Sequence, residues 1–143
     1  MINMIHKKQR KRIIYIFLNV FFPLFIGFQF YIYFKPDTYV YDFVHKFLFL
    51  PTYDTLNFFV KCFYNWGCDF LWAYSFNSLL FLVLYQLKRN LLISILLTGT
   101  IGVALETFQF IGVLSGTFDF IDIISEVLAI IISGLIIKNL KVI

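Results

Sequence analysis

The residues of this sequence that could do chemistry are acids and amides set within apolar stretches. Glu106 is the clearest case, because mostly apolar residues flank it on both sides and no cation stands at helical spacing from it. An ionisable side chain inside a membrane span is costly unless it faces the protein interior, so each one is a functional hypothesis. The candidate ligand-binding residues are Asp69, Asn77, Glu106, Gln109, Asp119, Asp122 and Glu126.

Carboxylates that lie close together in an apolar interior cannot all stay ionised without a positive partner. The partner could be a proton, a divalent metal ion held by oxygen ligands, Lys46 or Lys61, or a cationic group on a ligand. We predict no resident cofactor, with a divalent cation at the oxygen-rich carboxylate cluster as the alternative. The sequence does not choose among these partners.

Paired carboxylates also serve as general acid and base, or as metal ligands, in enzymes. This sequence has no HExxH motif, no serine or cysteine nucleophile beside a base and no glycine-rich loop that would cradle phosphate. A binding protein is therefore favoured over an enzyme, and no catalytic residue is assigned.

The composition places these residues in a membrane protein. Of the 143 residues, 61% are hydrophobic and 14% charged, against about 45–50% and about 25% in ordinary globular chains. Too little polar surface remains to cover a soluble fold, so the bilayer is the solvent. Five of the twelve cations fall within the first dozen residues, which relates the net charge of +4 to membrane topology rather than to nucleic acid.

Apolar runs of about 20 residues predict membrane-spanning helices. Four such runs cover residues 13–34, 70–87, 91–113 and 120–137. They predict an all-α integral membrane four-helix bundle, with the whole chain, 1–143, as a single domain. The connection 35–69 is aromatic and apolar, so we expect it to form short interfacial helices over residues 39–50 and from Asp54 or Thr55 to Cys62.

The cations near the ends of the spans predict the orientation, because basic loops stay in the cytoplasm. With both termini cytoplasmic, nine cations lie inside and only Lys35, Lys46 and Lys61 lie outside. We therefore predict a multi-pass protein of the cytoplasmic membrane whose connection 35–69 faces outward. Trp66, Trp72, Tyr31 and Tyr33 then mark the outer aromatic belt.

Helical spacing gathers the candidate residues onto one face of each of three spans. The stripes are Asp69, Ala73 and Asn77 in the second span, Gly99, Gly102, Glu106 and Gln109 in the third, and Asp122, Glu126, Ala129 and Ser133 in the fourth. The third span runs outward, which places Glu106 roughly 10 Å below the outer boundary. The fourth runs inward, with Asp122 at its mouth and Glu126 about one turn deeper. We predict an acidic pocket that opens outward.

Several of these residues also have a structural interpretation. Asp119 could cap the fourth helix, and Asn77 is more typical of a hydrogen bond between helices than of a ligand contact. Asn19 stands four residues before Pro23, where the proline frees its carbonyl and kinks the first helix. Cys62 and Cys68 are six residues apart, a spacing that favours two free thiols over a disulfide or a metal site.

The segment ETFQFIGVLSGTFDFIDIISEVLAIIISG resembles the C-terminal half of VanZ-like proteins, small four-helix bacterial membrane proteins. Glu106, Gln109, Asp119 and Asp122 match the family's motif, and the segment DFLWAYSFNSLL from Asp69 resembles its second helix. Gly116 stands where the family often has arginine, and Glu126 where it usually has asparagine, so this cluster is more acidic. The resemblance implies a bacterial inner membrane and a link to envelope stress or glycopeptide resistance.

These observations predict a VanZ-like membrane protein whose outward-facing acidic pocket binds a cell-envelope or lipid-linked component, with the lipid bilayer as its other partner and no nucleic acid. One alternative is a membrane-embedded enzyme that acts on lipid headgroups. Another is an ion or proton transport subunit, for which a chain of carboxylates should continue inward, where only Ser94, Thr98 and Gln86 lie. A third is an assembly subunit without a ligand. The oligomeric state is left open.

Overall fold

The computed structural model of this protein describes residues 10–34, 39–48, 57–114 and 118–140. Within those ranges the backbone forms helices joined by turns and contains no strand, which confirms the all-α prediction. The predicted turn over 115–117 and the segments 35–38 and 49–56 of the outer connection lie outside the described residues, as do the prolines and acids within those segments.

Six α-helical elements follow one another within the described ranges. They are α1 (Arg10–Phe34), α2 (Tyr39–Phe47), α3 (Phe58–Cys62), α4 (Cys68–Val83), α5 (Asn90–Phe110) and α6 (Phe120–Leu140). Three of them, α1, α5 and α6 as far as Asn139, are long and apolar enough to cross a membrane. This protein is therefore a membrane protein with a helical bundle.

The second predicted span differs from the observed helix at both ends. Its helix stops at Val83 rather than at residue 87, and turns occupy residues 84–89. At the other end α3 does not form a separate interfacial helix, because a π-helical segment, Phe63–Gly67, joins it to α4 with helical backbone angles throughout. Gly67 permits this join, since a Cβ there would collide with the Phe63 ring.

The helix α1 contains a second π-helical segment, Phe17–Phe21, directly before Pro23. Pro23 has no N–H to donate, and the π geometry absorbs the missing bond. Asn19 within this segment donates from Nδ2 to the Tyr15 carbonyl at 3.1 Å and accepts from the Tyr74 hydroxyl of α4. The structural role predicted for Asn19 is thus confirmed, and its side chain joins α1 to α4.

The helix α4 is the centre of the bundle and packs against α1, α5 and α6. It runs antiparallel to α1, since the Phe30 ring contacts Phe63 just before the start of α4, while Asn19 accepts from Tyr74 farther along α4. Its packing against α6 is the most extensive in the molecule. There Ala73 packs near Ala129, so that two small residues let the helices approach closely.

The interior of this bundle is more polar than its exterior. The largest side chains with less than 2% exposure are all polar: Ser75, Asn77, Ser78, Ser94, Thr98 and Ser133. Many Phe, Leu and Ile side chains along α1, α5 and α6 are exposed instead. This distribution suits lipid as the surrounding solvent, because apolar side chains face acyl chains and polar groups find partners within the protein.

Charge divides the bundle into two ends. Tyr15, Phe81 and Ile137 pack together at one end, which is therefore shared by the start of α1, the end of α4 and the end of α6. The cations at this basic end are Arg10, Lys11, Arg12, Lys88, Arg89 and Lys138. The buried and half-buried carboxylates lie at the opposite, acidic end.

A glycine turn ends the helix α5. Gly112 adopts a φ of +75°, its N–H binds the Gln109 carbonyl, and the Val113 N–H binds the Phe108 carbonyl. This is a Schellman motif, in which glycine takes the left-handed position that other residues rarely adopt. The helix therefore ends at Phe110, a few residues before the predicted end at 113.

The connection 35–69 forms the helix α2, Tyr39–Phe47, where the sequence predicts an interfacial helix over residues 39–50. Its exposed face carries Phe43 and Phe47, whose rings contact one another at a centroid distance of 5.1 Å. His45 donates from Nε2 to the Ile32 carbonyl at 3.1 Å and so holds α2 against α1. Cys62 and Cys68 form no disulfide, as the sequence predicts.

Candidate functional site

Three helices bring four of the predicted carboxylates together at the acidic end. Glu126 of α6 is 4% exposed and Glu106 of α5 is 5% exposed. The carboxylates of Asp69, Glu106 and Asp122 all lie near enough to Glu126 for their negative charges to act on it. We call these four residues the acidic cluster.

The Glu126 carboxylate fits between the helices because the residue that faces it from α5 is Gly102, which has no side chain. Gly102 is buried, and a Cβ built on it would overlap the Oε2 atom of Glu126. The carboxylate thus packs directly against the α5 backbone. The small-residue stripe predicted from the sequence serves this close approach.

Glu126 also lines a groove between α5 and α6 with a volume of about 430 Å³. The groove is lined by Ile95, Leu96, Gly99, Thr100, Val103, Ile123, Glu126, Val127 and Ile130. Its walls are mostly apolar, and Glu126 is the one charged residue among them. We call this feature the α5–α6 groove.

Glu106 occupies a different place from Glu126. It does not line the α5–α6 groove, and its Oε2 atom accepts the Asp119 N–H at 3.4 Å. The backbone N–H groups at the start of a helix have no partner within the helix. Glu106 therefore supports the start of α6 from the neighbouring helix α5.

Asp119 is the cap of α6, which confirms the structural interpretation for this residue. Its Oδ1 atom accepts the Ile121 N–H at 2.9 Å, the bond of an N-capping side chain. Its Oδ2 atom accepts the indole Nε1–H of Trp66 at 3.2 Å. Both carboxylate oxygens thus have partners in the protein.

Trp66 and Ser125 also belong to this site, although the spacing of the sequence does not predict it. The Trp66 indole donates to Asp119, and the Trp66 carbonyl accepts the Ser125 hydroxyl at 3.0 Å. Trp66 lies within the π-helical segment Phe63–Gly67. Gly67, the next residue, was the only local sign of an irregular backbone here.

Two predicted site residues lie apart from the acidic cluster. Asn77 is fully buried nearer the basic end and donates from Nδ2 to the Ser133 hydroxyl at 2.7 Å, which is the interhelical role described for it above. Gln109 is half-buried on the last turn of α5 and does not line the α5–α6 groove.

The positive partner of Glu126 is constrained by the groups around it. Among the residues that the structure describes, no three His, Cys, Asp or Glu side chains are grouped so that they could hold a metal ion. Lys46 and Lys61 have exposed side chains.

The chain has no match among protein-family models, curated proteins or solved structures. The resemblance of the segment 106–134 to VanZ-like proteins accordingly stays a prediction. The acidic cluster and the α5–α6 groove are therefore the features that indicate a function.

Proposed function

We propose that this protein is a VanZ-like protein of the bacterial inner membrane that binds a lipid-linked, cationic component of the cell envelope. Its ligand lies in the α5–α6 groove, with the acyl chains against the apolar walls and a cationic headgroup at Glu126. Glu106 and Asp119 hold the start of α6 in place, while Asp69 and Asp122 add negative charge around the ligand.

The charge asymmetry of the bundle supports an orientation with both termini in the cytoplasm. The exposed cations of the basic end include Lys88, Arg89 and Lys138, and basic groups near membrane spans stay inside. The acidic cluster then faces outward, where a component of the envelope can reach it from the outer leaflet.

One observation carries the proposal: a buried carboxylate, that of Glu126, lines a groove whose other walls are mostly apolar. A carboxylate in such a place needs a positive partner, and apolar walls favour acyl chains over water. A charge-assisted hydrogen bond from an ammonium group to Glu126 would contribute about 1.5–3 kcal/mol. An uncharged lipid would gain only the apolar contacts.

A pair of reporter lipids tests this proposal on the full chain in mild detergent. One carries a dialkylammonium headgroup and a fluorophore, and the other is a neutral diacylglycerol with the same acyl chains and fluorophore. We expect tighter binding of the cationic reporter, and Glu126→Gln should weaken that binding about tenfold or more, which corresponds to about 1.4 kcal/mol. Binding of the neutral reporter should stay the same.

The matched control is Glu106→Gln, which removes an equally buried carboxylate outside the groove. We expect it to lower the thermal stability of the protein and to leave the affinity for the cationic reporter within twofold of the wild type. Wild-type affinity in Glu126→Gln, or equal losses in the two variants, would overturn the proposal.

A further inference from the structure

A second group of buried polar side chains lies between the acidic cluster and the basic end. All four long helical segments contribute to it, and each side chain is 3% exposed or less. We call it the polar layer; it consists of Tyr15, Asn77, Ser78, Ser94, Thr98 and Ser133. No residue of the acidic cluster belongs to it.

Contacts between helices place these residues at neighbouring depths. Asn77 of α4 binds Ser133 of α6, and Tyr15 of α1 lies beside Ser78. On α5, the side chains of Leu91 and Ile95 face Gly134. Ser94 therefore lies at the depth of Ser133, and Thr98 lies one turn farther toward the acidic end.

Two polar atoms of this layer, Asn77 Oδ1 and Thr98 Oγ1, have no hydrogen-bond partner among the described residues. The hydroxyls of Ser94 and Ser133 donate to carbonyls of their own helices. The hydroxyls of Tyr15 and Ser78 lie beside each other. Buried polar atoms in proteins nearly always have a partner, and ordered water supplies it where no side chain does.

Thr98 is the residue of this layer that lies nearest to Glu126 along α5. It lies four residues before Gly102, the residue against which the Glu126 carboxylate packs, and both residues are on the buried face of α5. The two residues are thus about one helical turn apart along the helix axis. Ser133 is seven residues from Glu126 on α6, a separation of about 10 Å, so Thr98 lies between the two.

We infer that the polar layer binds water, and that this water carries protons between the basic end of the bundle and Glu126. Each water or hydroxyl accepts a proton on a lone pair as it passes its own proton onward. The last transfer forms an O–H bond on the Glu126 carboxylate, and that bond breaks when the proton passes on to the neighbouring carboxylates of Asp69 or Asp122 at the acidic end, so that one proton crosses the bundle. Neutral hydroxyls and an amide suit protons rather than metal ions, which need several anionic or well-placed oxygen ligands.

Proton flux into vesicles tests this inference with the full chain. The protein is reconstituted in phosphatidylethanolamine–phosphatidylglycerol vesicles that contain the pH dye pyranine, and valinomycin with a potassium gradient sets the membrane potential. We expect flux above that of empty vesicles, reduced at least tenfold by Thr98→Val, which keeps the side-chain shape and removes the hydroxyl, and by Glu126→Gln.

The matched control is Ser75→Ala. Ser75 is also fully buried on α4, but its hydroxyl donates to the Leu71 carbonyl at 2.8 Å, so its loss should leave the flux unchanged. Flux equal to that of empty vesicles, or wild-type flux in Thr98→Val, would overturn the inference.

The thermal stability of Thr98→Val tests the water separately from the proton flux. Removal of a buried hydroxyl that lacks any partner relieves an unfavourable burial and raises the melting temperature, whereas removal of one that binds water loses a hydrogen bond and lowers it. We expect a lower melting temperature; a higher one would show a dry layer and overturn the inference. Neither test requires that Glu126 bind a lipid.

Discussion

Two buried glutamates at the acidic end of the bundle have the same burial and different surroundings. Glu106 and Glu126 are 5% and 4% exposed. Glu106 accepts a backbone N–H from the start of α6, while Glu126 lines a groove whose other walls are mostly apolar. The first carboxylate completes the fold, and the second faces a volume that a ligand can fill.

The comparison shows that burial of an acid in a membrane span does not by itself identify a binding residue. The start of a helix offers backbone donors that a carboxylate can satisfy, and Glu106 and Asp119 both do so. A functional acid is better recognised by an open volume beside it. By that criterion Glu126 is the candidate, although Glu106 was the clearest candidate in the sequence.

The largest effect is expected for Gly102→Ala, a change in the residue that packs against Glu126. The added Cβ would overlap the Glu126 carboxylate, and this flexible side chain must then turn away. We expect about a tenfold or greater loss of affinity for the cationic reporter lipid, or about 1.4 kcal/mol, in a protein that still folds, since alanine suits a helix better than glycine. Unchanged affinity would show that binding of the reporter lipid does not depend on the position of the Glu126 carboxylate.

A smaller effect is expected from Asp119→Ala, at the start of α6, where Glu106 also binds. This change removes the cap of α6 and the acceptor of the Trp66 indole. Loss of an N-cap costs about 0.5–2 kcal/mol of unfolding free energy, measured by denaturant titration in micelles. Affinity for the cationic reporter should stay close to that of the wild type. A loss of affinity as large as that in Gly102→Ala would break the distinction between the two regions.

The smallest effect is expected from Tyr74→Phe, which lies outside both regions. It removes the hydroxyl that donates to Asn19 and joins α4 to α1. Hydrogen bonds between membrane helices contribute about 0.6 kcal/mol on average, so the melting temperature should fall slightly. Neither reporter binding nor the effect of Asp119→Ala should change, because energies of distant sites add. Coupling in a double-mutant cycle with Asp119→Ala would contradict this independence.

The sequence predicts the helices and the depth of the acids because both depend on local properties. Apolar runs long enough to span lipid predict α1, α5 and α6, and the rise per residue places Glu106, Asp122 and Glu126 near one end. It does not predict that α3 joins α4, since the π-helical segment between them depends on how Phe63 packs over Gly67.

At the site, the sequence does not predict how each helix is rotated about its own axis. A difference of a few tens of degrees about the axis of α6 decides whether Glu126 or Asp122 lines the α5–α6 groove. The same holds for Trp66, whose indole reaches Asp119 only because of the local π geometry. Patterns of spacing predict which residues share a face, and packing decides what that face meets.

The polar layer shows the same limit over longer distances. Asn77, Thr98 and Ser133 each look like an isolated polar residue in an apolar span. Their meeting depends on the register between three helices, which is visible in contacts such as the bond from Asn77 to Ser133. The sequence predicts transport only with a continuous chain of carboxylates, whereas the bundle interior continues toward the basic end through hydroxyls and an amide.

Mass spectrometry of lipids that copurify with the protein tests the central claim most directly. The full chain, Glu126→Gln and Glu106→Gln are each extracted gently from the same membranes and analysed for bound lipid. The account predicts a lipid with a cationic headgroup on the wild type and on Glu106→Gln, and its loss from Glu126→Gln. The same lipid complement on all three proteins, with no cationic species enriched over the membrane, would contradict it.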